Sequence, residues 1–279
     1  MSTAAPAASA AREGGGAPTA PAKPTHRGRN ALIALAVIAF TALTMTPQIG
    51  GINIDFASIA KNWRNGAAKL AQMLHPNIAF LPRTVQPMLE TLQMAVVGAV
   101  LSAVISIPLT LWAAQPTNPN SVGRAIVRTI INIMRSVPDL VYASILVAMV
   151  GVGALPGVLT LFLFDLGIVV KLVSEAIDSA DHPYIEAGYA AGGTQFQINH
   201  TMALPQVMPL FANQWLYTLE LNVRVSAILG LVGAGGIGRL LEERRAFFAY
   251  DDVSIIILEI LVVVVLVEML SNWLRKKLV

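Results

Sequence analysis

The chain has no cysteine, which excludes disulfides and any cysteine-based metal or redox site. It also has little charge. Asp, Glu, Lys and Arg make up 13% of its 279 residues, about half of what a soluble globular domain carries. A formal net charge of +3 is too small to argue for nucleic acid as a partner. No G-x-x-x-x-G-K-[ST] occurs, so the chain does not bind ATP through a P-loop. There is no H-E-x-x-H and no serine-centred nucleophile motif, so a membrane-embedded enzyme has no machinery to stand on. Outside the apolar runs no stretch is long enough to bury a core of its own, which leaves no room for a large soluble domain.

What the chain does have is apolar length. Hydrophobic residues make up 55% of it, and several runs reach the roughly 20 residues that cross a bilayer core of about 30 Å. The fold class is therefore an all-α polytopic membrane protein with six transmembrane helices, near 30–48, 87–114, 125–150, 158–177, 206–230 and 253–273. Residues 1–29 are rich in Ala, Pro, Gly, Ser and Thr and read as a disordered cytoplasmic tail. Region 30–85 holds the first span and an amphipathic extracytoplasmic segment. In that segment Phe56, Ile59, Trp63 and Leu70 share one helical face and Lys61, Arg64, Asn65 and Lys69 the other. It lies either on the membrane surface or on its own protein. Region 86–279 is the core membrane domain. The chain from Arg239 to Asp252 reads as a charged loop.

An even number of spans puts both termini on one side. With that side cytoplasmic, the tails and the loop near 114–125, with Arg128 just beyond it, hold nine Lys/Arg, and the opposite loops hold seven. The excess agrees with the positive-inside rule.

Ionisable residues inside spans are expensive and tend to be functional. Three pairs stand four apart, where each pair can neutralise itself on a helix: Arg135 with Asp139, Lys171 with Glu175, and Glu220 with Arg224. Arg135 and Arg224, with Glu220 and Asn222, are candidates for lining an anion path. Arg224, with Asn222, is expected near the outer mouth. The run Gly233-Ala234-Gly235-Gly236-Ile237-Gly238 fits the dinucleotide pattern G-x-G-x-x-G, but apolar spans flank it where a βαβ unit would be needed. Its glycines are expected to turn the chain back sharply at the outer membrane face, as an outer gate.

The segment Glu186–Pro205 is the longest polar, small-residue stretch between two apolar runs in the C-terminal half. Asp181 can cap a short helix there and Pro183 suits its first turn. Ala187, Gly188, Ala190, Ala191, Gly192 and Gly193 leave that helix almost bare. Glycine is costly in a helix, and close approach of another surface is one reason to tolerate it. Either the segment is a knob for a partner's cleft or it is only a linker.

Glu186-Ala187-Gly188, three residues, Gly192, nine residues, then Met202-Ala203-Leu204-Pro205 resembles the coupling signature of ABC-importer permease subunits. That signature runs Glu-Ala-Ala, three residues, Gly, nine residues, Ile-x-Leu-Pro. Glu186, Ala187, Gly192, Leu204 and Pro205 match; Gly188 replaces Ala and Met202 replaces Ile. The resemblance implies a cytoplasmic coupling helix at 181–193 that docks on an ATPase.

The run Leu221 to Gly238, with Arg135-Ser136-Val137-Pro138-Asp139-Leu140-Val141 and Leu92-Gln93-Met94-Ala95, is similar to the phosphonate (and phosphite/phosphate) permease subunits of that class. From about Pro82 onward the resemblance implies a type I importer transmembrane domain in a bacterial cytoplasmic membrane. It implies four kinds of partner: a second copy of the chain, an ABC ATPase dimer, an extracytoplasmic substrate-binding protein and membrane lipid. No cofactor is implied in this chain, with ATP and Mg on the ATPase. Two other readings stay open: a permease for another solute such as an amino acid, and an ion-coupled secondary transporter. The latter usually shows internal repeats, and this sequence has none.

Overall fold

The computed structural model describes residues 27–45, 56–181 and 183–278, and every regular element among them is helical. The chain divides into two compact units, Met1–Trp63 and Arg64–Val279. Residues 1–26 of the expected tail lie outside the described residues. The first helix, α1, spans Arg27–Thr44. Leu32, Ile33, Leu35, Val37, Ile38 and Phe40 are all exposed on it, and a helix apolar all round belongs in lipid or a core.

The amphipathic segment forms α2, Phe56–Met73. Its C-terminal half packs on its own chain. The Lys69 ammonium lies 5.6 Å from the Phe248 ring centroid and 5.4 Å from that of Tyr250, cation–π distances. The hydroxyl of Ser254 donates to the Met73 carbonyl, and Asn77 Nδ2 donates to Asp252 Oδ1 at 2.8 Å.

The core is built by four long helices: α3 (Leu81–Ala113), and three that follow two shorter ones, α4 (Ser121–Ser136) and α5 (Asp139–Val150). These three are α6 (Ala154–Ser179), α9 (Leu204–Leu229) and α11 (Tyr250–Leu278), with α7 (Pro183–Ala190) and α8 (Gln195–Ile198) between α6 and α9, and α10 (Gly236–Ala246) between α9 and α11. The burial pattern is inverted relative to a soluble bundle. Facing inward on α3 are Thr91, Ala95, Gly98, Ala99, Ser102 and Ser106, while Val96, Val97, Val100, Leu101 and Val104 face outward. Small residues inside let helices approach closely where no water drives them together. A Cβ on Gly98 would come within 2.8 Å of the Leu161 Cβ, so α3 and α6 touch backbone to side chain. Trp215 Nε1 bonds the Ala99 carbonyl at 2.9 Å and fixes α9 on α3.

By length and apolarity four helical stretches suit a bilayer: Ile78–Ala113, Ala154–Ser179, Gln195–Val232 and Tyr250–Lys277. A fifth is the pair α4 and α5 if it counts as one span. The shorter apolar helix Gly28–Thr44 takes the place of the first of the six expected spans.

Two expectations need correction. Residues 125–150 are not one helix: α4 and α5 are bent by 89°. Val137, held at φ −89°, ψ 124°, adopts the extended form that a following proline imposes, and Pro138 has no N–H to continue the ladder. Nor is Arg239–Asp252 a loop, because α10 occupies most of it. Glu242 and Arg245, three apart, pair on its surface, and this bond holds the Glu242 carboxyl below its usual range.

The glycine run makes the turn between α9 and α10. Gly233, Gly235 and Gly236 have φ of 89°, 82° and 68°, a region open to glycine and strained for other residues. A Cβ on Gly236 would lie 2.5 Å from Thr91 Oγ1, and one on Gly238 would lie 2.0 Å from the Ala227 carbonyl oxygen. The Thr91 hydroxyl in turn accepts the Ile237 N–H at 2.7 Å, satisfying one free donor at the start of α10. Thr91 is ten residues into α3, so the turn sits about 15 Å below the start of that helix.

Candidate functional site

The segment Glu186–Pro205 folds as a rigid elbow. α7 opens at Pro183, two residues after Asp181, with His182 outside the described residues. Glu186 is in its first turn, where the helix dipole favours a carboxylate. Glu186, Ala187 and Ala190 face outward, and Ile185 and Gly188 face inward. The inward face meets Ile198 and Ala203 in a small apolar cluster, with Tyr184 beside it; burial raises the Tyr184 phenol above its usual range.

The glycines divide into two kinds. Gly192 sits at φ 78° with nothing within 4 Å of a would-be Cβ, so it serves the left-handed close of the helix. Gly188 is a packing glycine: a Cβ there would lie 2.8 Å from Met202 Sδ and 3.0 Å from Ile198 Cγ1. Gly193 is similarly close, 3.1 Å from the Gly188 carbonyl oxygen and 3.2 Å from Ile198 Cγ1. Two of the three glycines thus face the chain's own next turn. The bare outer face comes from Ala187 and Ala190.

After the turn, Thr194 and Gln197 form a capping box that starts α8. A π turn, Asn199–Ala203, then leads without a break into α9, which begins at Leu204 and Pro205. Gln195 Nε2 and Asn199 Nδ2 both donate to the Thr117 carbonyl, at 3.1 and 2.7 Å. The elbow is therefore fastened to the loop between α3 and α4.

The intramembrane charges fall into separate groups. Lys171 and Glu175 pair at 2.6 Å. Glu220 pairs with Arg224, and this pair is extended by α11: Arg275 lies 3.7 Å from Glu220 and Arg224 lies 3.9 Å from Glu268. Arg224 thus joins α9 to α11. Asn222, two residues away, points elsewhere. It is fully buried, and its Nδ2 donates to Asp165 Oδ2 at 2.6 Å and to the Ala95 carbonyl at 3.3 Å. Residues two apart on an α-helix point to nearly opposite faces, so Asn222 meets α6 while Arg224 meets α11.

The expected pair Arg135–Asp139 does not form: no ion pair joins them among the described residues. Spacing of four implies contact only on an unbroken helix, and the break at Val137–Pro138 lies between them. Both side chains instead line one cavity of about 290 Å³ against α6, walled by Tyr142, Leu163, Phe164 and Ile168. The stem of Arg135 runs across Gly167, where a Cβ would lie 2.9 Å from Arg135 Cγ.

Sequence reasoning missed the Asp165–Asn222 contact and the importance of Gly167. Asp165 was visible as an acidic residue within a span, but nothing in the sequence names its partner.

A family model described as "Binding-protein-dependent transport system inner membrane component" matches residues 106–279. The chain is 37% identical over 223 residues to the phosphite transport system permease protein PtxC of Stutzerimonas stutzeri, across 80% of this chain and 81% of that one. It is 35% identical over 212 residues to the phosphate-import permease protein PhnE of Mycolicibacterium smegmatis, across 76% of this chain but 40% of that longer protein. Among solved structures, the MetNI methionine ABC transporter in inward-facing conformations is similar with a TM-score of 0.64 at 23% identity, covering 73% of this chain and 99% of that chain. The likeness to that structure is one of fold.

Proposed function

Because the chain belongs to the family of binding-protein-dependent transport system inner membrane components, we propose that it is the permease subunit of an ATP-driven importer for a phosphorus oxyanion: phosphonate, phosphite or phosphate. The observation that carries the solute class is the 37% identity, across four-fifths of both chains, with a protein named for phosphite transport. The fold is that of an ABC-transporter permease, and the chain is a multi-pass membrane protein.

In this reading two copies of the chain enclose the path, an ATPase dimer holds ATP and Mg on the cytoplasmic side, and an extracytoplasmic protein delivers the solute. Both termini and α7 face the cytoplasm and α10 faces outward. The ATPase grips the outer face of α7, where Glu186 offers a charge and Ala187 and Ala190 allow close approach. Leu204 and Pro205 begin the helix that carries the movement inward. Glu220 and Arg224 hold α9 to α11, and Asn222 holds α9 to α6. The glycine turn at Gly233, Gly235, Gly236 and Gly238 keeps the outer end of α9 tightly folded back on α3.

The test is reconstitution of the chain with its ATPase and its binding protein in proteoliposomes. Uptake of phosphite or phosphonate that needs both ATP and the binding protein is expected. Uptake of an amino acid with no uptake of any phosphorus oxyanion would overturn the solute class.

A further inference from the structure

The faces of α2 are reversed relative to a helix packed on a soluble protein. Asn65, Lys69 and Gln72 share a shallow depression with Phe248 and Tyr250, at the corner between α10 and α11, and the Lys69 ammonium lies over both rings. The polar face is thus the one turned to the chain. Phe248 is held at φ 59°, the one non-glycine residue at positive φ among the described residues, a conformation that is costly for a bulky side chain. Leu70 stands about 160° around the helix from Gln72 and about 140° from Asn65, and it is 60% exposed. Leu74 follows one turn on, with its N–H on the Leu70 carbonyl at 3.1 Å, and is 78% exposed. The same spacing carries the apolar stripe back along the helix to Trp63 and Ile59, both exposed. Phe56–Met73 contains Lys61, Arg64 and Lys69 and no acidic residue.

We propose that α2 is a lipid-binding helix, with its apolar stripe among the acyl chains of the bilayer and Lys61 and Arg64 on the phosphates of anionic phospholipid headgroups. The inference rests on the chain being a multi-pass membrane protein and not on the solute it carries. An outward apolar face repeats the pattern of α3, where Val96, Val100 and Val104 are exposed. Lipid removes such a stripe from water, which is the favourable direction. Lysine and arginine on one face, with tryptophan and leucine on the other, is the composition of a helix that lies at a membrane interface. The helix has no carboxylate of its own to set against its three cations, and anionic headgroups supply that charge. Arg64 follows Trp63 directly and so flanks the stripe. Its stem can lie along apolar surface while the guanidinium stays at headgroup level, where it can bond two phosphate oxygens at once. Lys69 is directed at the two rings, so it seats the helix on the chain and leaves the lipid contact to the other two.

The test is quenching by brominated phospholipids in vesicles that hold the full chain. Because the chain has no cysteine, a bimane on Leu70→Cys reports on the stripe and one on Gln72→Cys on the opposite face. Brominated phosphatidylcholine is expected to quench the first label strongly and the second weakly. At Leu70→Cys, brominated phosphatidylglycerol should be preferred over phosphatidylcholine by about fivefold, and adding Lys61→Gln and Arg64→Gln should bring the preference below about twofold. Leu74→Cys carries the label on the same stripe if Leu70→Cys does not fold. Equal quenching on the two faces overturns the proposal. Quenching of neither label also overturns it, since a second copy or another protein then covers the stripe. A preference for phosphatidylglycerol that survives both glutamines overturns the headgroup contact.

Discussion

The sulfur of Met202 occupies the space that a side chain on Gly188 would fill, 2.8 Å from the would-be Cβ. These are the two positions at which the chain departs from the coupling signature it otherwise matches. The missing methyl at 188 and the longer side chain at 202 compensate for one another. Gly188→Ala alone is expected to cost about 1 kcal/mol by overpacking. Met202→Ile alone should cost a similar amount by leaving a gap. The double variant should recover most of both losses, which a double-mutant cycle on thermal melting in detergent measures. Additive losses would show that the two residues are independent.

Gly192 should respond differently. A Cβ there meets nothing within 4 Å, but the backbone is at φ 78°. Gly192→Ala should therefore cost about 1 kcal/mol in backbone strain. Gly192→Val should cost more and, if α7 is the ATPase contact, lose co-purification with the ATPase while the bundle still inserts. Full ATPase binding and uptake by Gly192→Val would make the segment a linker.

Asn222 and Asp165, 57 residues apart, hold α9 to α6 through a hydrogen bond of 2.6 Å inside the bundle. Asp165→Asn keeps an acceptor for Asn222 and should change stability by less than about 1 kcal/mol. Asn222→Leu removes the one side-chain donor to Asp165 among the described residues and strands a buried carboxyl, with an expected loss of about 1–3 kcal/mol. The order of the two melting temperatures decides: an equal loss would mean that the contact holds nothing.

Gly238→Ala should be the most damaging glycine-to-alanine change among the described residues. Its Cβ would fall 2.0 Å from the Ala227 carbonyl oxygen, and backbone cannot yield as a flexible side chain can. A loss of about 3 kcal/mol or more is expected, read as loss of monodisperse protein. Gly66→Ala is the control, since nothing lies within 4 Å of its would-be Cβ.

Orientation can be tested directly, because the chain has no cysteine of its own. Single cysteines at Ser2 and Glu242 should be labelled from opposite faces of the membrane. Labelling of both from one face would contradict an even number of spans.

The long apolar helices, the short helix opening at Pro183 and two of the three ion pairs were legible because each is local: an apolar run, a capping pattern, or a spacing of four. What the sequence hid depends on contacts between distant residues or on a break in a pattern. Pro138 was visible, but apolar residues continue on both sides of it, and membrane helices often carry proline unbroken. α10 looked like a loop because its composition is charged and glycine opens it; its helix rests on Thr91 and on the seating of Gly238, both supplied by other elements. Asp165 was visible and Asn222 was visible, but their pairing follows only from how α6 and α9 pack on α3.

The helical path from Gln195 to Val232 runs 38 residues without a break, about 57 Å if fully extended along one axis. If α7 is the ATPase contact, such a path would act as a lever whose short arm is the elbow at α7. A tilt of about 5° at one end becomes a displacement of about 5 Å at the other. The π turn at Asn199–Ala203 is where the lever has slack, because one extra residue in a turn can move along the helix without breaking it. A push on α7 that is absorbed there never reaches the glycine turn. One that is not absorbed would arrive enlarged at a turn where even a Cβ on Gly238 would lie 2.0 Å from the Ala227 carbonyl oxygen.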